Sequence, residues 1–189
     1  MTYKHCAQNT KDHKHLPYTP GPLSLLENSQ TCYKLAQKYY FFTRQYKEAL
    51  QECDKALAAD TGEDGGKLRS IILDLRSLCN LKLGNHDGAL GDCFSVLEIN
   101  PKHPNVNARL GRIVMDVLGD PKEAIIYFDR EIEIAPTDKA HALRAVAHHR
   151  LGNSAESSKD YEKALELCGI NRDAVLLITT EIYAQKATD

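Results

Sequence analysis

The sequence predicts an all-α solenoid of about four stacked helical hairpins, closed by a C-terminal capping helix. Three stretches share a glycine turn followed by a small residue: LKLGNHDGAL at 81–90, DVLGDPKEAI at 116–125 and HRLGNSAESS at 149–158. An earlier, less regular copy, FTRQYKEAL, lies at 42–50, and a helical second half follows each of the four. Repetition of this kind indicates stacked repeats, because each hairpin buries its apolar face only against its neighbours.

The spacing of the small residues sets the repeat length. Ala49, Ala89, Ala124 and Ser157 are equivalent and lie 40, 35 and 33 residues apart along the chain. The first interval is longer because TGEDGG at 61–66 is inserted between two copies. The other two are close to a period of about 34 residues, which is that of a helix–turn–helix repeat.

These residues resemble the tetratricopeptide repeat (TPR), and the resemblance covers about residues 28–170. The family places small residues where the two helices of a hairpin touch, and a large residue later in the second helix. Here the large residue is Phe128 or Tyr161, and the closing prolines are Pro101 and Pro136. The small residues are Ala36, Ala49, Ala56, Ala89, Ala108, Ala124, Ala145 and Ala164. The resemblance implies a right-handed superhelix whose concave wall is made of the first helix of each hairpin.

Start and stop signals agree with this division. Asn28 or Ser29 is expected to cap the first helix, Asp120 precedes Pro121 at the start of another, and Asn153 or Ser154 opens a third. The turn glycines, Gly84, Gly119 and Gly152, are expected to be left-handed, and Arg44 stands at the corresponding place in the first copy. The predicted organisation is an irregular arm (1–27), a solenoid (28–170, repeats 30–63, 70–103, 104–137 and 138–170) and a capping helix with tail (171–189).

Composition excludes several classes of function. Hydrophobic residues make up 42% of the chain and charged residues 26%, as in an ordinary soluble protein. The formal charge of −2 gives no general attraction to nucleic acid, and no apolar run is long enough to cross a bilayer. The start of the sequence has no apolar signal-peptide centre, so we expect a cytoplasmic protein without nucleic-acid binding or membrane insertion.

Cysteine and histidine residues are not expected to form a metal site. The six cysteines form no C-x-x-C pair, and those in helical patterns are expected to be reduced packing residues. In the arm, His5, Cys6, His13 and His15 fit no standard zinc spacing. The arm is instead expected to be disordered alone, or to contact a partner or the groove through Tyr3, Leu16, Tyr18, Pro20 and Leu23.

No catalytic motif is present: the sequence has no phosphate loop, H-E-x-x-H or G-x-S-x-G. Of the neighbouring His148 and His149, one is expected to face inward and one outward. The acids Glu131 and Glu133 are expected to lie on a solvated helix face. We therefore expect no enzyme activity and no cofactor.

The groove is predicted from first-helix positions that packing does not require. The partner-binding candidates are Lys34, Lys38, Phe42, Asp74, Asn105, Arg109, Arg112, Lys139 and His149. Their mildly basic balance would suit a partner segment that is acidic or ends in a carboxylate, because Lys and Arg donate charge-assisted hydrogen bonds. For any one of these cations, a solvated helix face is the simpler interpretation.

The tract 75–111 is similar to co-chaperone TPR domains, which hold the acidic C-terminal tail of heat-shock chaperones in a carboxylate clamp. Of the five clamp positions, Lys34 and Arg109 match the family residue. The other three hold Lys38, Leu75 and Asn105, so the clamp is degenerate.

Three hypotheses follow. The first is a non-catalytic adaptor or scaffold subunit of a larger complex, which binds a partner segment in the concave groove. The second is a co-chaperone that uses the degenerate clamp. The third is an enzyme or metal protein built on the helical scaffold, for which the sequence supplies no motif.

Overall fold

The computed structural model describes residues 28–169 and the isolated positions 173, 175, 176, 179 and 180. Within this part of the chain there are eight α-helices and no β-strand. The helices are α1 (Ser29–Gln37), α2 (Tyr46–Ala58), α3 (Lys67–Lys82), α4 (His86–Ile99), α5 (Val106–Val117), α6 (Pro121–Ile134), α7 (Asp138–Arg150) and α8 (Ser154–Leu167). The predicted all-α class is confirmed. A π-helical turn, Lys38–Thr43, extends α1.

The helices form four antiparallel hairpins stacked in chain order. Each odd-numbered helix packs against the even-numbered helix that follows it, and each even-numbered helix packs against the first helix of the next hairpin. The odd-numbered helices also meet one another along one side, where α1 contacts α3 and α5 contacts α7. This side is the concave wall, and the even-numbered helices form the outer layer. None of the helices in the described residues is long and apolar enough to span a bilayer.

Capping and turn residues explain where the helices begin and end. The side chain of Asn28 accepts a hydrogen bond from the backbone N–H of Thr31 at 2.8 Å, and that of Asp120 accepts one from Glu123 at 2.9 Å. These two predicted caps are therefore confirmed. The third, Asn153, stands at the N-cap of α8 as predicted, but its side chain accepts no capping hydrogen bond. The three turn glycines have φ of 68–76°, whereas the first hairpin turns through Arg44 with a φ of 58°. A left-handed residue is required at this place in every hairpin, and three copies use glycine because it adopts this conformation without strain.

The core combines the small residues with larger aliphatic side chains and the fully buried ring of Phe128. All eight predicted small alanines are at most 2% exposed. Ser157, which replaces alanine in the fourth copy, is also buried and donates its hydroxyl to the carbonyl oxygen of Ala145 at 2.9 Å. The predicted packing role of these positions is confirmed. Each small side chain lets the two helices of a hairpin approach closely.

The third hairpin is packed differently from the second and fourth. Phe128 on α6 is fully buried, and its ring lies where a Cβ atom on Gly111 of α5 would be, with Cε1 only 2.4 Å from that point. At the places equivalent to Gly111, the second and fourth hairpins carry Arg76 and Arg144. Each of these two arginines binds a buried aspartate of its own hairpin and a more exposed aspartate of the preceding one. At this position, the second and fourth hairpins are therefore held by ion pairs and the third by an aromatic contact.

The expectation for Glu131 was wrong. Glu131 is only 2% exposed, and its carboxylate accepts hydrogen bonds from the backbone N–H groups of Asn105 at 2.7 Å and Ala108 at 3.2 Å. These donors are at the start of α5, where the first turn of a helix leaves N–H groups without internal partners. A carboxylate from α6 thus caps α5 and is stabilised by the positive end of the helix dipole.

Several predictions concern residues that the structure does not describe or describes only in part. The irregular arm, with its possible metal ligands and aromatic anchors, lies outside the described residues. So does most of the capping helix, although Val175 is buried against Ala142, Ala164 and Cys168 of the last hairpin. The cysteines of the described helices are buried, as predicted for packing residues. His148 and His149 are both half-buried, and their expected division into an inward and an outward histidine stays a prediction.

Candidate functional site: the concave groove

A cavity of about 390 Å³ lies on the concave wall, between α3, α5 and α7. One wall of the cavity, here called the apolar floor, includes Leu78 from α3 with Ala108 and Ile113 from α5. Tyr40 closes one side from the π-helical turn, where its ring packs against Tyr46 with centroids 5.4 Å apart. The site therefore offers an apolar surface that several rigid helices hold in place.

Arg109 lies in this cavity but is already paired. Its Nη1 is 2.6 Å from Oδ1 of Asp74 and donates to the hydroxyl of Ser77 at 2.7 Å. Burial lowers the pKa of the Arg109 guanidinium, but the nearby Asp74 and Cys93 raise it by more. The pKa of Arg109 is therefore above its ordinary value. Only 10% of the Arg109 side chain is exposed. Its charge is used mainly to join α5 to α3.

Arg112 and Lys139 are less well compensated. The Arg112 side chain is 57% exposed, and its nearest carboxylate is that of Asp116 at 3.9 Å, a long separation for an ion pair. The pKa of Lys139 is lowered by burial first, and then by the positive charges of Arg112 and Arg109. A lysine whose pKa falls beside two arginines is in a locally positive field. The carboxylates of Glu131 and Asp138 oppose this effect but act more weakly than the two arginines, so this part of the groove has an excess of positive charge.

A further cation and a histidine lie at the other end of the cavity. Lys82, the last residue of α3, and His86, the first residue of α4, both line it. The Nδ1 atom of His86 is buried and has no hydrogen-bond partner among the described residues. Asp116 lines the same end, where Arg150 binds it at 3.0 Å.

Asn105 was predicted to lie on a helix face of the groove. It lines the cavity, but it is the residue before α5 and has a left-handed φ of 65°. Its backbone is held by Glu131, as described above. The cavity thus brings together four of the predicted residues: Asn105, Arg109, Arg112 and Lys139.

The other five predicted residues are not part of the cavity lining. Lys34 and Lys38 are exposed on α1 and the π-helical turn, and Phe42 is 83% exposed near the end of that turn. Asp74 contacts the site only through Arg109, and His149 is half-buried near the end of α7. The π-helical turn changes the register of the first helix, so positions there cannot be assigned from regular repeat spacing.

Sequence reasoning missed several residues of the site. Tyr40 carries the clearest signal, since it belongs to an aromatic run, YYFF at 39–42, which is too apolar for every ring to face solvent. The remaining missed residues stand near helix ends or on the apolar floor: Leu81, Lys82, His86, Ala108, Ile113, Asp116 and Val117. Within the described residues, no cluster of His, Cys, Asp or Glu could hold a metal ion.

A family model for the tetratricopeptide repeat matches residues 139–171, which correspond to the fourth hairpin and the residues directly after it. Among solved structures, MamA superposes with a TM-score of 0.66 at 21% identity, covering 77% of this chain and 81% of MamA. A thermophilic TPR protein of Thermus thermophilus, TTC0263, gives a TM-score of 0.65 at 18% identity and 82% of both chains.

A third structure is PilW, described as a widely conserved type IV pilus biogenesis factor. It gives a TM-score of 0.62 at 20% identity, covering 73% of this chain and 61% of PilW. At these identities the likenesses establish the fold. The chain therefore contains a tetratricopeptide repeat in its fourth hairpin and has the helical-hairpin solenoid fold of tetratricopeptide-repeat proteins.

Proposed function

We propose that this protein is a non-catalytic scaffold or adaptor that binds a segment of a partner protein in the concave groove between α3, α5 and α7. The observation that carries the proposal is the 390 Å³ cavity, which joins an apolar floor to cations that nearby carboxylates compensate only in part. Open grooves of stacked hairpins suit peptide segments, because they present a long surface that several helices hold rigid.

The absence of catalysis is part of the proposal. The most enzyme-like arrangement among the described residues is the contact of His141 Nδ1 with Asp160 Oδ1 at 3.0 Å. Both side chains are buried between α7 and α8, and Asp160 is also bound by Arg144 at 2.6 Å. A buried ion network of this kind stabilises a hairpin and leaves no space for a substrate at the imidazole.

The charge of the groove favours an acidic partner segment. Lys82, Arg112 and Lys139 line the cavity, whereas Asp116 is the only carboxylate among the described lining residues and is bound by Arg150. We further propose that the partner is part of a larger complex in the cytoplasm. The buried thiols of Cys53, Cys79 and Cys93 fit a reducing compartment.

The chaperone-tail alternative has weaker support. Of the two residues that match the clamp, Arg109 is held by Asp74, and Lys34 lies outside the cavity lining. Leu75, at a third clamp position, is buried in the core and offers no hydrogen bond. A clamp would need these side chains to converge on one carboxylate.

A paired substitution tests the groove. Leu78→Asp places a carboxylate on the apolar floor and should reduce the amount of co-purifying partner at least tenfold, because it removes apolar contact and repels acidic groups. The tagged protein would be purified from its own cells, and its most abundant stoichiometric partner quantified by mass spectrometry.

The matched control is Ile126→Asp on α6, where the side chain is 50% exposed on the outer layer. Circular dichroism would confirm that both variants keep the wild-type helix content. Equal partner recovery with the two variants would refute binding in the groove.

A further inference from the structure

The three cations of the groove lie on three successive first helices at different heights. Lys82 is the last residue of α3, Arg112 lies in the middle of α5, and Lys139 is the second residue of α7. When the repeats are aligned, Lys82 of α3 occupies the position of Val117 in α5, and Lys139 of α7 occupies the position of Val106 in α5. Arg112 of α5 lies between these two positions along the helix axis. Together they form a diagonal row, here called the cation row, from one edge of the groove to the other.

The cation row is available to a ligand because no close ion pair within the described residues occupies its three side chains. Arg112 has only the long contact with Asp116, and neither Lys82 nor Lys139 forms an ion pair with a carboxylate of the described residues. Arg109 lies beside the row and shows the contrast, since Asp74 holds it at 2.6 Å. The pKa of Lys139 is lowered first by burial and then by the charges of Arg112 and Arg109, and the opposing effect of Glu131 and Asp138 is smaller.

The dimensions of the fold set the spacing of a complementary ligand. Neighbouring helices lie about 10 Å apart, and a height difference of five or six residues along a helix is about 8 Å. The step from Arg112 to Lys139, on the contacting helices α5 and α7, is therefore about 13 Å, and we assign the step from Lys82 to Arg112 the same length because Arg109 of α5 reaches Asp74 of α3 directly. An extended peptide rises about 3.3 Å per residue, so four residues cover one step. Residues four apart also point to the same side of an extended chain.

We propose that the groove binds an extended acidic segment of about nine residues, whose carboxylate side chains recur every fourth residue and pair with Lys82, Arg112 and Lys139. The inference rests on the proposed function and adds the chemistry and register of the partner segment. Three separate cations favour a ligand with several acidic side chains over one with a single terminal carboxylate, because one carboxylate can contact only one of the three cations. The apolar floor beside the row, with Leu78, Ala108 and Ile113, favours a peptide with apolar side chains over the phosphate backbone of a nucleic acid.

Fluorescein-labelled nine-residue peptides test the register directly. The probe carries glutamates at positions one, five and nine in an alanine–serine background, with acetylated and amidated ends. One comparison peptide has its three glutamates adjacent, and another has glutamines instead. Measured by fluorescence anisotropy at low salt, the spaced peptide should bind at least threefold more tightly than the clustered one and at least tenfold more tightly than the neutral one.

Single charge removals identify the residues responsible. Arg112→Gln and Lys139→Gln should each weaken binding of the spaced peptide about three- to fivefold, the range of a solvent-exposed ion pair. The matched control is Lys122→Gln, which removes an exposed lysine of α6 on the outer layer and should change nothing. Circular dichroism of each variant verifies that the fold is intact.

Several outcomes would overturn the proposal: equal binding of the three peptides, no binding of the spaced peptide at 1 mM, an equal effect of Lys122→Gln, or tighter binding of a nine-nucleotide single strand. If any of these occurs while Leu78→Asp still releases the natural partner, the cation row is wrong and the groove function stands. If Leu78→Asp also leaves the natural partner bound, the proposed function itself fails.

Discussion

Replacing Phe128 with alanine is expected to lower the free energy of unfolding by about 3–5 kcal/mol, the usual range for truncating a fully buried phenylalanine. The ring of Phe128 is 0% exposed and belongs to the main core cluster, which joins the second, third and fourth hairpins. Its loss removes apolar burial and leaves a cavity at their junction. Urea unfolding followed by circular dichroism measures the change.

Gly111 provides an internal control for this packing. In the wild-type protein, Gly111→Ala should destabilise the fold, because a Cβ atom would lie 2.4 Å from the Phe128 ring. In the Phe128→Ala background the same change should become neutral or stabilising, since alanine favours a helix by about 1 kcal/mol over glycine. Gly91→Ala, where nothing lies within 4 Å, should stabilise both backgrounds alike. If Gly111→Ala destabilised the fold equally with and without the Phe128 ring, the proposed contact between Gly111 and Phe128 would be contradicted.

Arg144→Ala is expected to lower the free energy of unfolding by about 2–4 kcal/mol, because it leaves a buried carboxylate without its main partner. Arg144 donates to both oxygens of Asp160, at 2.7 Å and 2.6 Å, and to Asp129 at 2.6 Å. After the change, Asp160 keeps only His141. The matched control is Lys163→Ala, which breaks an exposed pair with Glu166 and should cost less than about 0.5 kcal/mol.

The ion pair between Arg144 and Asp160 also predicts that the stability of the protein depends on pH. Burial alone would raise the pKa of Asp160, but hydrogen bonds from Arg144 and His141 hold that pKa below the ordinary value of 3.8. A carboxyl with a lowered folded-state pKa stabilises the protein above its unfolded pKa, and this contribution is lost as the pH falls through the folded value. The stability gap between wild type and Arg144→Ala should therefore be constant near pH 7 and narrow below pH 3.8. A gap that stays constant down to pH 2 would exclude an ionic origin.

The repeat architecture could be predicted because local sterics determine it. A left-handed turn needs a residue such as Gly84, and a close helix crossing needs a side chain as small as that of Ala89. Both requirements recur at a fixed interval and are readable in one sequence. The caps Asn28 and Asp120 are equally local, since each acts on a backbone N–H three residues later.

The details of the groove could not be predicted because they depend on contacts between hairpins. Arg109 and Asp74 are 35 residues apart, and their pairing follows from the way α5 stacks on α3. Glu131 reaches the start of α5 from 26 residues away, so its burial has no local signal. The π-helical turn likewise moved Tyr40 into the site, where regular spacing had favoured Lys34 and Lys38.

The central claim is that the concave groove, and not the outer layer, contacts the partner. A photoreactive phenylalanine analogue at Leu78, with the same analogue at Phe94 on α4 as the matched site, tests it most directly, because Phe94 is exposed on the outer layer. Irradiation of the protein in its own cells should give a covalent product with one partner polypeptide from Leu78 and none from Phe94. A product from Phe94 with none from Leu78 would contradict the account.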